Sequence, residues 1–303
     1  MLFKDILRVE VELFGFCNRK CEWCPNSEFD RTENKEILSK STFHRLLLDL
    51  KSNGFAMPVR ETGFIRMTNS IISFNGYCEP MSNPSLISEY SMLVKDVFGT
   101  DVDVYFNTNG DYFTPENLQL LSGVDCIRIM DYDSKGRAYW KSKLEDVGAS
   151  IVQRKKDRIT AIHDVVDYIS VNLDWESKPL EDRGGFFNTQ KPMYIHGKKM
   201  GWAGAGLRDK PCIEPNYFIT VSHTGAVMPC CHLRQDNIKH SAYVMGNINK
   251  DSIVDIYTSA KYVAFKNNVF NKDFSESCKH CHKERLWYTR GVDISRVNVE
   301  FEE

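Results

Sequence analysis

The chain has 303 residues, 42% hydrophobic and 26% charged, with a formal net charge of −2. This suits one large globular domain, or a medium and a small one, and excludes a global electrostatic case for nucleic acid or an anionic membrane surface. With no signal-peptide pattern and no apolar stretch near the roughly 18 residues of a membrane span, a cytoplasmic location is expected, where ten cysteines point to metal rather than disulfides.

Val9 to Phe14 alternates as a strand does. Directly after it comes Cys17-Asn18-Arg19-Lys20-Cys21-Glu22-Trp23-Cys24-Pro25. A closed structural zinc site takes four ligands, and cluster-binding ferredoxins also supply four thiolates. Three thiolates on an iron–sulfur cube leave one iron open to a ligand that is not protein. Two other readings stand beside this one: zinc completed by a distant His or Cys, or three cysteines packed as small hydrophobes.

Phe43, Leu46, Leu47 and Leu50 mark one face of a helix. Ile71 to Phe74 reads as a buried strand, followed by Gly76-Tyr77-Cys78-Glu79-Pro80. Asn83-Pro84 opens a helix, with Asn as N-cap and Pro at the first helical position. Val102 to Phe106 predicts a third strand leading into Asn107-Thr108-Asn109-Gly110, and Thr114-Pro115 opens a helix ended by Gly123. Ile127 to Met130, Ile151-Val152 and Asp167 to Asn172 read as further strands. The mixed run Arg154 to Arg158 reads as a solvated face. This alternation argues for an α/β fold, a parallel sheet with outer helices forming a partial barrel, with functional residues at the carboxyl ends of the strands.

The small-residue stretch Gly201 to Gly206 predicts a boundary between domains 1–205 and 206–303. Beyond it, Phe218 to Val221 and Ala226 to Met228 flank His223-Thr224-Gly225, a hairpin signal. Met245 to Ile248 follows, then a helix around Ser252 to Phe265. Cys212, Cys230, Cys278 and Cys281 form a second thiol set, which suits a zinc ribbon as well as an iron–sulfur cluster. Of the neighbours Cys230 and Cys231, the spacing selects Cys230 as ligand. His232, His280 and His282 are expected at the surface or beside the ligands. Glu300 to Glu303 reads as a frayed tail.

The three-cysteine loop resembles the signature of the radical S-adenosylmethionine (SAM) superfamily. That resemblance implies a partial (β/α)6 TIM-like barrel in which the open iron chelates SAM, and an electron from the cluster cleaves SAM to a 5′-deoxyadenosyl radical that abstracts a substrate hydrogen. Gly76 to Pro80 resembles the family's Gly-Gly-Glu-Pro motif, with Tyr77 and Cys78 in place of the glycines, and implies that Gly76 and Glu79 meet the SAM amino group. Thr108-Asn109-Gly110 resembles the Thr-Asn-Gly of strand three, implicating Asn107 and Asn109. Arg128 and Asp131 stand near the expected SAM carboxylate contacts. The second thiol set resembles the small α+β "twitch" form of the auxiliary-cluster (SPASM-type) domain, in which four cysteines ligate a second 4Fe–4S cluster.

Val9-Glu10-Val11, Cys17-Asn18-Arg19, Trp23 to Ser27, Asn109-Gly110-Asp111 and Arg183-Gly184-Gly185 extend the likeness to the 2-deoxy-scyllo-inosamine dehydrogenase branch of that superfamily, with extra residues here around Asn53 to Ile65. By that resemblance Arg183 faces the substrate hydroxyl. The tyrosine those enzymes carry before Thr-Asn-Gly is Asn107 here, which predicts a different substrate. The expected reaction is two-electron dehydrogenation of a small polar cyclitol or sugar, with a flavodoxin or ferredoxin as electron donor. A ribosomal-peptide maturase or epimerase is the alternative, with Cys78 or Cys126 as a hydrogen donor, although such enzymes carry an N-terminal leader-binding domain and this chain reaches its first strand within about ten residues. A zinc-stabilised binding module is the third reading.

Overall fold

A computed structural model describes residues 1–56, 70–173, 193–195, 198–200 and 207–281. The strands are β1 (Arg8–Val11), β2 (Ser70–Ser73), β3 (Val102–Thr108), β4 (Cys126–Met130), β5 (Ser150–Lys155), β6 (Arg158–Ile162), β7 (Tyr168–Asn172), β8 (Met193–Ile195), β9 (Lys198–Met200), β10 (Phe218–Val221), β11 (Ala226–Met228) and β12 (Gly246–Asn247). Ten of them form one sheet in the order β12-β11-β10-β1-β2-β3-β4-β7-β6-β5, and β8 pairs with β9 alone. The run β10-β1-β2-β3-β4-β7 is parallel, and antiparallel hairpins finish both edges. The α/β expectation holds: parallel strands alternate with helices, and among the described residues the sheet does not close on itself. The C-terminal hairpin is part of this sheet, because β10 lies beside β1, with Arg8 opposite Phe218 and Glu10 opposite Thr220.

Strand alternation divides the two faces of the sheet. Val9, Val11, Ile72, Val104, Phe106 and Ile127 are buried against the helices. α1 (Lys40–Ser52) and α2 (Pro84–Phe98) supply the facing layer. Phe43 of α1 packs on Phe74 and Tyr90 at centroid distances of 5.9 and 5.1 Å. Each such ring contributes about 1.5–3 kcal/mol by burial. The residues between them, Arg8, Glu10, Ser73, Tyr105 and Arg128, share the other face, in register across β1 to β4. That polar face carries the site.

Some helices begin at a capping residue of their own and others do not. Asn83 caps α2, accepting from Leu86 N at 3.2 Å, and Thr114 caps α3 (Pro115–Gln119), which stops short of Gly123. α4 (Gly136–Asp146) has no adjacent side-chain cap; Asp131 replaces one, accepting from Lys135 N and Gly136 N at 2.9 and 2.8 Å. α5 (Glu214–Tyr217) is a single turn before β10. The helix predicted around Ser252 to Phe265 is two, α6 (Ile253–Thr258) and α7 (Ala260–Phe270), broken where Ser259 turns extended and caps α7 through Tyr262 N. No helix among the described residues is long and apolar enough to cross a membrane.

Candidate active site

A cavity of about 330 Å³ opens at the carboxyl ends of the parallel strands, bringing together Cys17, Cys21 and Cys24 with Gly76, Glu79, Asn107, Asn109 and Arg128. This is where a parallel α/β sheet collects functional loops. Beneath them the polar face of the sheet forms the floor. Arg8 Nη1 donates to Tyr105 Oη at 3.0 Å, Arg8 pairs with Glu10 at 3.3 Å, and the Arg128 guanidinium lies 5.3 Å over the Tyr105 ring. Trp23 and Tyr132 form an apolar wall, with ring centroids 5.8 Å apart, and the β8–β9 hairpin packs Ile195 and Met200 against them.

Glu79 is 2% exposed. Its carboxylate accepts from Thr108 Oγ1 at 2.5 Å, Met81 N at 3.0 Å and Asn109 N at 2.8 Å. Burial pushes its pKa up to about 7, against the lowering effect of those bonds. Asn75 Oδ1 accepts from Asn107 N at 2.7 Å. Among the described residues, Asn75 Nδ2 and Asn107 Oδ1 are buried without a partner, and both residues line the cavity. Unmade hydrogen bonds of this kind are costly, so a polar group that reached either atom would be stabilised there. Asp131 stands outside the lining, its carboxylate committed to the start of α4. Cys78 lines the cavity and Cys126 does not. Burial raises both thiols, Cys126 to about 11.

The three-cysteine loop is pinned from two sides. Arg19 Nε donates to Asp111 Oδ2 at 2.6 Å and its Nη atoms donate to Asp133 at 2.9 and 2.8 Å. Asn18 bridges Asp111 and Asn109 at 2.8 and 2.9 Å. On the far side, Asn26 Nδ2 donates to Tyr77 O at 2.8 Å, and Arg31 joins Glu12 to Asp236, the latter at 2.8 Å. Glu12 also accepts from Tyr77 N at 2.7 Å and faces His223 Nδ1 at 2.7 Å. Burial alone would raise the Glu12 carboxyl, but Arg31, His223 and the Tyr77 amide hold it well below the ordinary range. Gly76 has φ +136, and a Cβ there would sit 2.8 Å from Glu12 Cβ, so only glycine fits this close approach. Burial pushes Cys17 up to about 11 and Cys21 up to about 12. Forming thiolates in this loop therefore calls for a strongly positive partner, which iron supplies.

A second, smaller cavity is lined by Cys212, Cys230, Cys278 and Cys281 together with His232. Cys231 faces the main cavity instead. Residues 212–282 match the family described as SPASM, an iron–sulfur cluster-binding domain. The whole chain is 26% identical over 276 residues to the S-adenosyl-L-methionine-dependent 2-deoxy-scyllo-inosamine dehydrogenase of Niallia circulans, covering 90% of this chain and 92% of that one. Among solved structures it resembles BtrN in complex with AdoMet and 2-DOIA at TM-score 0.56 and 21% identity, covering 91% of this chain and 93% of the other. It also resembles selenomethionine BtrN in an open conformation at TM-score 0.53 and 20% identity, covering 91% and 92%. These structural likenesses carry the fold.

The SPASM segment supplies four thiols around one cavity, the donor set of a fully ligated cube. His232, expected at the surface or beside the ligands, is 2% exposed and so not at the surface, with Nδ1 3.6 Å from Cys281 Sγ. Arg183, His282, the Gly201 to Gly206 boundary and the Glu300 to Glu303 tail lie outside the described residues, as does part of Asn53 to Ile65. Sequence reasoning did not single out Arg8 or Tyr105, and it named Glu10 only within the resemblance segment Val9-Glu10-Val11. The signal for Arg8 and Glu10 was the alternation Arg8-Val9-Glu10-Val11-Glu12, charges on the inner face of a central strand.

Proposed function

We propose that this protein is a radical SAM dehydrogenase carrying two 4Fe–4S clusters, one on Cys17, Cys21 and Cys24 and one on Cys212, Cys230, Cys278 and Cys281. Its substrate is a small polar molecule of the cyclitol or sugar class. The observation that carries this reading is the 330 Å³ cavity, in which an incomplete thiol set, two unsatisfied asparagine atoms and a polar floor meet. The relative's dehydrogenase name supports the same reaction class.

When bound, the open cluster and SAM supply a carbon-centred radical able to abstract hydrogen from an unactivated C–H bond. The residues of the chain do the rest. Asn75 and Asn107 offer the ligand one free donor and one free acceptor, while Glu79 holds the Thr108–Asn109 turn in place. Trp23 and Tyr132 exclude water from one wall. Arg8, Glu10, Tyr105 and Arg128 present charges and a hydroxyl to substrate hydroxyl or amino groups, and Arg183 is proposed to orient the reacting hydroxyl. The donor of electrons is proposed to be a flavodoxin or ferredoxin.

The test is anaerobic reconstitution followed by iron, sulfide and zinc analysis, then reaction with SAM, dithionite and a panel of aminocyclitols. Iron for two cubes and substrate-dependent 5′-deoxyadenosine with a ketone product are expected. Zinc without iron overturns the reading. An epimerised or crosslinked peptide, with no ketone from any cyclitol, replaces it with the maturase reading.

A further inference from the structure

The wall between the two cavities holds one side chain that belongs to both. His232 lines the main cavity beside Cys17, Cys24 and Arg128, and also the small cavity beside the four C-terminal cysteines. The chain reaches it through Cys230, which faces the small cavity, and Cys231, which faces the main one. Its ring is almost fully buried, and Nδ1 stands 3.6 Å from Cys281 Sγ.

A thiolate bound to iron carries no proton and can only accept. The imidazole nitrogen facing it must then be the one that donates, which places a ring hydrogen on Nδ1. Hydrogen bonds to the sulfurs of a cluster help set its reduction potential. An N–H aimed at sulfur stabilises the reduced, more negative cluster, and so raises the potential.

We infer that His232 is a positioning residue that donates from Nδ1 to the Cys281 thiolate, raising the potential of the auxiliary cluster so that it accepts an electron arising in the adjoining cavity. Dehydrogenation needs such an acceptor. Once a hydrogen atom has left the substrate carbon, one electron and one proton must still leave to give the ketone. The electron passes to the auxiliary cluster, reducing it by one, and the proton leaves the hydroxyl to solvent or buffer. The inference rests on the reading of the four cysteines as cluster ligands.

The test uses the full chain with Cys17, Cys21 and Cys24 replaced by Ala, so that only the auxiliary cluster remains. Its midpoint potential is followed by electron paramagnetic resonance during redox titration. His232→Phe, which fills the space without a donor, is expected to lower the equilibrium constant for reduction about tenfold, or about 59 mV for one electron. His232→Gln, which keeps an N–H, is expected to recover much of the loss. Unchanged potentials in both variants, or equal falls in both, overturn the inference. Should His232→Phe fail to load iron, ¹⁵N-histidine labelling of the parent decides: a weak nitrogen coupling to the reduced cluster is expected, and its absence overturns the inference. A parent that binds no cluster at all sinks the ligand reading, an outcome distinct from a loaded cluster whose potential ignores His232.

Discussion

Arg19 Nε lies 2.6 Å from Asp111 Oδ2, although 92 residues separate them in the chain. The cysteine loop after β1 and the turn after β3 are thereby locked as one unit, and Asp133 after β4 closes it from the third side. Arg19→Ala should cost about 1.5–3 kcal/mol, the range of hydrogen bonds to charged groups. It should also weaken SAM binding about tenfold, as measured by calorimetry on reconstituted protein. Arg19→Lys keeps the charge but loses the fork, and should fall between. Wild-type affinity in both variants would show that the lock does not serve the site.

Glu12 gives a pH dependence with a definite sign. Its folded carboxyl titrates below the unfolded one, so its contribution is fully present above the unfolded pKa of about 4.3 and is lost as pH falls below it. Glu12→Gln should lose roughly 3 kcal/mol near neutral pH, because it leaves Arg31 short of a buried partner. Its stability should then decline less steeply than wild type between pH 5 and 3, as urea midpoints would show. Parallel pH curves for the two proteins would contradict the depressed carboxyl.

The two adjacent C-terminal cysteines face different cavities. Cys230→Ser should therefore lose the auxiliary cluster, while Cys231→Ser should retain its iron. Iron and sulfide analysis after anaerobic reconstitution reads this directly, and the reverse result would exchange their roles.

Gly76→Ala should destabilise the fold by roughly 2 kcal/mol or more, since the backbone is left-handed and the added methyl meets Glu12. Thermal denaturation checks the loss. Glu12→Gln would not relieve it, because the nearest contact is with Glu12 Cβ, an atom both side chains share.

Much of this arrangement was legible because local chemistry and tertiary role coincide. Asn83-Pro84 and Thr114-Pro115 start helices by capping, which needs only neighbours in sequence. The Cys17 loop, Glu79 and Asn109 fall at strand ends, and a parallel sheet gathers strand ends in one place. The failures occur where a partner is remote. Asp131 looked available for a ligand carboxylate, yet it caps a helix whose first residues carry no capping signal of their own. His232 was given a place beside the ligands, but its position in the wall between two cavities depends on β11 joining a sheet begun far upstream. The resemblance segments Cys17-Asn18-Arg19 and Asn109-Gly110-Asp111 were read separately, and only the fold shows that they touch.

The pairing of β1 with β10 has a consequence for how the protein is made. β1 leaves the ribosome some two hundred residues before one of its two neighbours, which begins at Phe218. Until that late segment emerges, one side of β1 has unpaired backbone groups and Glu12 lacks His223 and the Arg31–Asp236 link. The cysteine loop, synthesised long before β10, becomes rigid only after that strand has joined the sheet. Iron delivered during synthesis would meet a loose loop, whereas iron delivered after release would meet a finished one. Maturation of the proposed first cluster is thus tied to completion of the C-terminal segment that carries the proposed second.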